Sequence, residues 1–85
     1  MPAKTFLLKK SANKNVQKLP KHIRDRIPEA LLAIRQNPII GLKLHGDLDG
    51  SYKYRMGDYR IVYMFNEKTS TVLILTIEHR QGVYK

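Results

Sequence analysis

The 85-residue sequence predicts an α+β fold: a small antiparallel β-sheet with two N-terminal helices packed on one face, in the order β-α-α-β-β-β. Three observations lead there. Apolar residues recur at helical spacing between Ser11 and Asn37. After Gly50 the apolar period switches to two. The turn residues Gly57-Asp58 and Glu67–Ser70 then divide that second half into three strands.

Taken in order, Thr5–Lys9 is a first strand centred on Phe6, Leu7 and Leu8. Ser11 is the expected N-cap of the first helix, because its hydroxyl can accept from a free backbone N–H. Behind it Ala12, Val16 and Leu19 fall at i, i+4 and i+7 as a helical stripe, and Pro20 ends this helix or opens the next. Ile23, Ile27, Ala30, Leu31 and Ile34 continue the stripe up to the stop signal Asn37-Pro38. Pro28 interrupts it, since a proline inside a helix costs about 3 kcal/mol. Two courses are open: a kinked second helix, or a separate turn over Lys21–Ile27 followed by a helix that starts near Pro28. Ile39–Gly50 is a loop with three glycines and two apolar pegs, Leu42 and Leu44. Tyr52–Met56, Tyr59–Asn66 and Thr71–His79 are the remaining strands. Residues 1–85 are expected to form one domain, without a deep cleft between lobes.

Composition narrows the function. Sixteen Lys and Arg against seven Asp and Glu give a net charge of +9, while 42% of the residues are hydrophobic, a folding composition rather than a basic tail. Residues 1–27 carry eight basic groups against Asp25, so most of the positive field arises there. Such a field attracts polyanions, and nucleic acid or an acidic protein is the expected partner. Lys9, Lys10, Lys14, Lys18, Lys21 and Arg24 are the expected RNA-binding residues. Without cysteine, disulfides, thiolate catalysis and Cys-based zinc sites are excluded. His22, His45 and His79 show no metal-ligand spacing, and no glycine opens a helix after a strand as a phosphate loop would. Neither a cofactor nor a metal is expected. No apolar run approaches a membrane span and the start lacks a secretory h-region, so the expected location is the cytoplasm.

The hairpin carries the chemistry. With a two-residue turn at Gly57-Asp58, Met56 faces Tyr59, Arg55 faces Arg60, Tyr54 faces Ile61 and Lys53 faces Val62. Side chains alternate between faces. One face then holds Tyr52, Tyr54, Met56, Tyr59, Ile61, Tyr63 and Phe65, which suits packing on the helices; the other holds Lys53, Arg55, Arg60, Val62 and Met64. On the last strand Leu73, Leu75 and Ile77 are expected in the core, leaving Thr76, Glu78 and Arg80 on the basic face. Like charges opposed in a sheet destabilise it within the roughly 0.2–1 kcal/mol range of cross-strand effects, and a bound phosphate would explain the arrangement.

Lys43-Leu44-His45-Gly46, Tyr52-Lys53-Tyr54-Arg55, the core Gly57-Asp58-Tyr59-Arg60-Ile61-Val62-Tyr63 and the ending His79-Arg80-Gln81-Gly82-Val83-Tyr84 resemble the RelE/ParE toxin superfamily, and its RelE branch most. The resemblance implies a RelE-like fold and a toxin of a type II toxin–antitoxin pair. It implies an endonuclease that cuts mRNA in the ribosomal A site, on the small subunit and its ribosomal RNA, without a metal, by attack of the ribose 2′-hydroxyl. It also implies a cognate acidic antitoxin that wraps the basic surface. Carried over by motif, Arg60 is the catalytic arginine and Arg80 the second arginine. Lys53 and Arg55 stand where the family keeps two basic residues, and Tyr84 is the C-terminal tyrosine that orients or stacks on substrate. Arg55 replaces a frequent lysine, and the C-terminal helix of some RelE toxins is expected to be missing. Glu78-His79 invites comparison with branches that use Glu and His as acid and base, but the register places His79 on the core parity. Two alternatives remain at this point: a ParE-type poison of DNA gyrase, and a catalytically decayed module that binds RNA or antitoxin.

Overall fold

The computed structural model describes residues 3–43 and 50–79. The elements are β1 (Thr5–Leu8), α1 (Lys10–Lys18), α2 (Lys21–Arg24), α3 (Ile27–Gln36), β2 (Leu42–Lys43), β3 (Ser51–Met56), β4 (Tyr59–Asn66) and β5 (Thr71–His79). They form an α+β structure whose five-stranded sheet has the order β1-β5-β4-β3-β2. Three of the four pairings are antiparallel; β1 runs parallel to β5, with Thr5 opposite Thr71 and Leu8 opposite Ile74. The parallel pair follows from the helical crossover between β1 and the meander, because strands joined through helices can return in the same direction. The loop predicted for 39–50 holds the two-residue strand β2, and Leu42 is 65% exposed rather than an apolar peg. Leu44 lies outside the described residues.

Helix boundaries follow the proline chemistry. Pro28 stands in the first turn of α3, where its missing N–H has no partner to lose. The chain therefore takes the second course left open by the sequence: a short separate turn, α2, and then the main helix. Ile23, Ile27, Ala30 and Ile34 are buried from that stripe, as are Ala12 of α1 and the sheet residues Met56, Ile61, Tyr63, Val72, Ile74 and Ile77. The N-cap of α1 is Lys9, not Ser11, and it makes no side-chain cap. Ser11 Oγ instead donates to the Leu75 carbonyl (3.2 Å), and Thr76 Oγ1 and Asn15 Oδ1 are 2.8 Å apart. Helix α1 thus satisfies the edge of β5 beyond the point where β1 stops.

The register of β3 with β4 is the one expected, from Met56 opposite Tyr59 to Lys53 opposite Val62. Gly57 takes φ +63°, which a hairpin with glycine at its first central position requires. Strand β5 departs from expectation. Its pairing with β4 shifts between Val62 and Tyr63, so that Val62 faces Thr76 while Tyr63 faces Ile74, leaving Leu75 as the extra residue. One inserted residue reverses the parity of everything beyond it. Val72 and Ile74 therefore enter the core with Ile77, while Leu73 and Leu75 are only partly buried.

Tyr63 fastens the chain between α3 and β2 to the sheet. Its buried hydroxyl donates to the Pro38 carbonyl (2.8 Å) and accepts from the Gly41 N–H (3.0 Å), and its ring stacks on Tyr52 at 5.5 Å. A Cβ at Gly41 would stand 2.7 Å from the Lys53 carbonyl oxygen and 2.8 Å from that hydroxyl. Burial pushes the Tyr63 pKa up, which outweighs the lowering by the Gly41 N–H; Tyr52 and Tyr54 add to the rise.

Tyr63→Phe is expected to cost about 1–3 kcal/mol, because it strands the Pro38 carbonyl and the Gly41 N–H, and urea unfolding measures this directly. The phenol adds a pH signature. Its folded pKa lies above the unfolded value of about 10, so in alkali the unfolded chain releases the proton first. The tyrosine's contribution to stability is present below about pH 10 and is lost as the pH rises toward the folded pKa. Tyr63→Phe should accordingly lose less stability than the parent between neutrality and strong alkali; equal losses would contradict the assignment.

Candidate functional site

Three of the five expected catalytic residues come together on one sheet face. Arg55 and Arg60 are directly opposed across β3 and β4, and Glu78 of β5 is opposed to Arg60 on its other side. The neighbouring row on the same face is Lys53, Val62 and Thr76. Lys53 is thus diagonal to Arg60, a separation of about 7–8 Å between positions. The Gly57-Asp58 turn produces the pairing, and Lys53, Arg55, Arg60 and Glu78 share the face that the alternation of the sequence predicts. Arg80 and Tyr84 lie outside the described residues, as does His45.

Arg60 is held more tightly than its neighbours. Its side chain is 15% exposed, against 41% for Glu78, and its Nε stands 3.9 Å from Glu78 Oε1. That is an ion pair too long for a hydrogen bond. Nε is the one enclosed side-chain polar atom among the described residues without a hydrogen-bond partner. Arg55 is exposed and Lys53 is partly exposed. Enclosure of Arg60 by β3 and β5 restricts the motion of its guanidinium, a fork suited to two oxygens of a phosphate. Glu78 neutralises part of the field and orients the group without saturating it.

The other sequence-expected residues distribute as follows. Lys10, Lys14 and Lys18 form an exposed stripe along α1, Lys9 precedes it, and Lys21 and Arg24 are exposed on α2. None of them lies on the strands that carry the Arg60 cluster. His79 packs edge-on against Tyr59 at 4.9 Å and 88°, on the core parity that the register implied. Tyr52, Tyr54 and Tyr59 are partly buried against the core, which makes them packing groups first. Among the described residues no group of His, Asp and Glu is arranged to hold a metal ion. A wider concavity of about 660 Å³ lies at the opposite end of the sheet against Leu7, Met64 and Leu73; it is mainly apolar and holds none of the clustered cations.

Residues 6–84 match the family described as the ParE toxin of the type II toxin–antitoxin system parDE. The chain belongs to the RelE/ParE family of type II toxins. It is 31% identical over 77 residues to toxin RelG of Mycobacterium tuberculosis, a match that covers 88% of each chain. A chain in the crystal structure of the M. tuberculosis toxin–antitoxin complex RelBE2 shares its fold with a TM-score of 0.84 and 29% identity, over 94% of this chain and 100% of that one. A chain of the RelE–RelB complex from the archaeon Pyrococcus horikoshii gives 0.73 and 32% identity, over 92% and 96%. The family resemblance read from the Gly57–Tyr63 and His79–Tyr84 segments is thereby borne out.

Two features of this RelE/ParE chain had no legible signal. The β5 bulge at Leu75 has no glycine or proline to announce it. Arg26, one of the eight basic groups of residues 1–27, has its Nη1 3.1 Å from where a Cβ on Gly57 would stand, at the hairpin turn. That contact joins segments thirty residues apart and leaves no local trace.

An uncommitted Arg60 should respond to an anion. Sulfate at roughly five times its dissociation constant should stabilise the wild type by about 1 kcal/mol. Arg60→Met keeps the stem, removes the charge, and should lose most of that gain. In sulfate-free buffer the same variant should unfold within about 1 kcal/mol of the parent, since the opposed Arg55 charge and the long Glu78 pair offset each other. Thermal unfolding with and without sulfate reads both; equal sulfate gains in the two proteins would contradict an anion site at Arg60.

Proposed function

We propose that this toxin is a ribosome-dependent endoribonuclease that cuts mRNA in the A site. The observation that carries the reading is the cluster of Lys53, Arg55 and Arg60 on one sheet face, with Arg60 enclosed and its Nε without a hydrogen bond. Phosphoryl transfer gains most from positioning and from cations aimed at the charge that develops on the phosphate oxygens. Arg60, with Arg80, supplies those cations. The ribose 2′-oxygen bonds to the adjacent phosphorus while the bond to the 5′-oxygen breaks. The 2′-hydroxyl proton passes to a base, for which Lys53 is the candidate, and the departing 5′-oxygen takes up a proton. A 2′,3′-cyclic phosphate remains, and no metal takes part. Tyr84 orients the substrate, and the lysine stripe of α1 with Lys21 and Arg24 faces ribosomal RNA.

The partner follows from likeness and charge. Both solved relatives described above are toxin–antitoxin complexes, RelBE2 and RelE–RelB. With +9 on this chain, the cognate antitoxin is acidic and covers the basic surface. The matched family's description as a ParE toxin favours a second reading, poisoning of DNA gyrase without RNA cleavage. The Lys53, Arg55 and Arg60 cluster favours the first.

Purified toxin added to ribosomes stalled on a defined mRNA should give A-site cuts by primer extension, and EDTA-treated naked RNA without ribosomes should stay uncut. Arg60→Ala should lower the cleavage rate about 10²–10³-fold, the usual cost of one donor to a developing oxyanion, with circular dichroism unchanged. Absence of cuts from folded wild-type protein, together with inhibited gyrase supercoiling, would transfer the assignment to the second reading.

A further inference from the structure

Strand β2 covers β3 only at Tyr52 and Lys53, so among the described residues no strand lies beside the outer edge of β3 toward the turn. Between that edge and α3 lies a cleft of about 180 Å³ whose lining includes Arg26, Glu29, Ala30, Tyr54, Arg55 and Met56. Arg26 enters it from the residue before α3, and its Nη1 is placed against the Gly57 turn. Arg55 of β3 lines it at the hairpin edge, and is also the residue opposed to Arg60. The cleft is therefore continuous with the Arg60 cluster through a shared side chain. Glu29 is the cleft's carboxylate. It lies in the first turn of α3, where the helix dipole favours a negative charge, and it forms no ion pair with either arginine. The only ion pair among the described residues is Arg60 with Glu78. Two arginines thus border one small concavity, and neither has a carboxylate partner among the described residues.

We propose that Arg26 and Arg55 form a second phosphate subsite, which holds the RNA backbone next to the phosphate at Arg60. The inference rests on the reading of this toxin as an RNA-cleaving enzyme. Consecutive phosphates of one strand are the polyanion that fits two adjoining basic sites linked by Arg55. A planar fork on each side of the cleft can take separate oxygens of one phosphate, while Tyr54 forms an apolar wall beside the attached nucleoside. Arg26 acts in binding and register, not in the bond-breaking step. Its loss should raise the KM of ribosomal cleavage and leave kcat within about twofold.

The test compares Arg26→Ala with Lys68→Ala, which removes the same charge from the turn at the far end of the sheet. Binding of a fluorescent single-stranded RNA oligonucleotide is measured by anisotropy over a range of salt, and ribosomal cleavage is measured in parallel. Arg26→Ala should weaken RNA binding about five- to tenfold and make the salt slope shallower by about 0.7, the value for one phosphate contact on a single strand. Lys68→Ala should change both little, and Arg26→Lys should restore much of the slope but less of the affinity. Equal effects of Arg26→Ala and Lys68→Ala would overturn the subsite, because net charge alone would then account for binding. Loss of acidic-peptide binding by Arg26→Ala with RNA binding intact would overturn it as well, and would assign the cleft to a protein partner. Wild-type protein that binds RNA in an Arg26-dependent manner yet never cuts would retain the subsite and remove the endonuclease reading. Normal cleavage with an unchanged KM in Arg26→Ala would do the reverse.

Discussion

Pairing between β3 and β4 is the constraint on which the rest of the molecule depends. A tight turn at Gly57-Asp58 sets the register, and the alternation of side chains then sends Tyr54, Met56, Ile61 and Tyr63 to the helices and Lys53, Arg55 and Arg60 to the other face. A slip of one residue would exchange the two sets and bury three cations. Hydrophobic burial of Met56, Ile61 and Tyr63 therefore holds the basic cluster in place without touching it. The turn glycine belongs to the same constraint, since its positive φ is open to few other residues.

The cluster opposes that stability locally. Arg55 and Arg60 face each other, and Glu78 approaches Arg60 only to 3.9 Å. A sheet selected for stability alone would place a closer carboxylate there or remove one arginine. The arrangement leaves an enclosed guanidinium with spare hydrogen-bonding capacity, which is what recognition of a phosphate requires. Nearby, the Tyr63 hydroxyl ties Pro38 and Gly41 to β4, and through Gly41 it supports the backbone at Lys53. Core packing and site geometry thus share residues, so that the aromatic face of the hairpin is the foundation of its basic face.

The bulge in β5 reconciles two demands on one strand. Ile77 must meet Ile61 in the core while Glu78 meets Arg60 on the other face, and farther along Ile74 and Val72 must pack with Tyr63 and Phe65. An uninterrupted strand would deliver Leu73 and Leu75 to the core instead. The extra residue at Leu75 changes the parity between these regions, and its carbonyl is taken by Ser11 of α1. Helix α1 is thereby held against β5, and its exposed lysines stand beside a sheet whose own cations project from β3 and β4.

Local chemistry alone determined the order of the longer elements, the β3–β4 register and the grouping of Lys53, Arg55 and Arg60, because turn residues and a period of two act over only a few positions; the two-residue β2 and the short α2 were not fixed in this way. The buried stripe of Ala12, Ile23, Ile27, Ala30 and Ile34 was equally legible from its helical spacing. Tertiary structure decided what depends on partners distant in the chain. The parallel pairing of β1 with β5, the use of Ser11 on a strand carbonyl rather than as a cap, and the approach of Arg26 to the hairpin turn all join segments thirty or more residues apart, and the bulge at Leu75 serves core positions that no local turn residue announces. Pro28 shows the boundary between the two. Its ring excludes a helix interior, but only packing of Ile23 and Ile27 into the same core selected a separate turn over a kink.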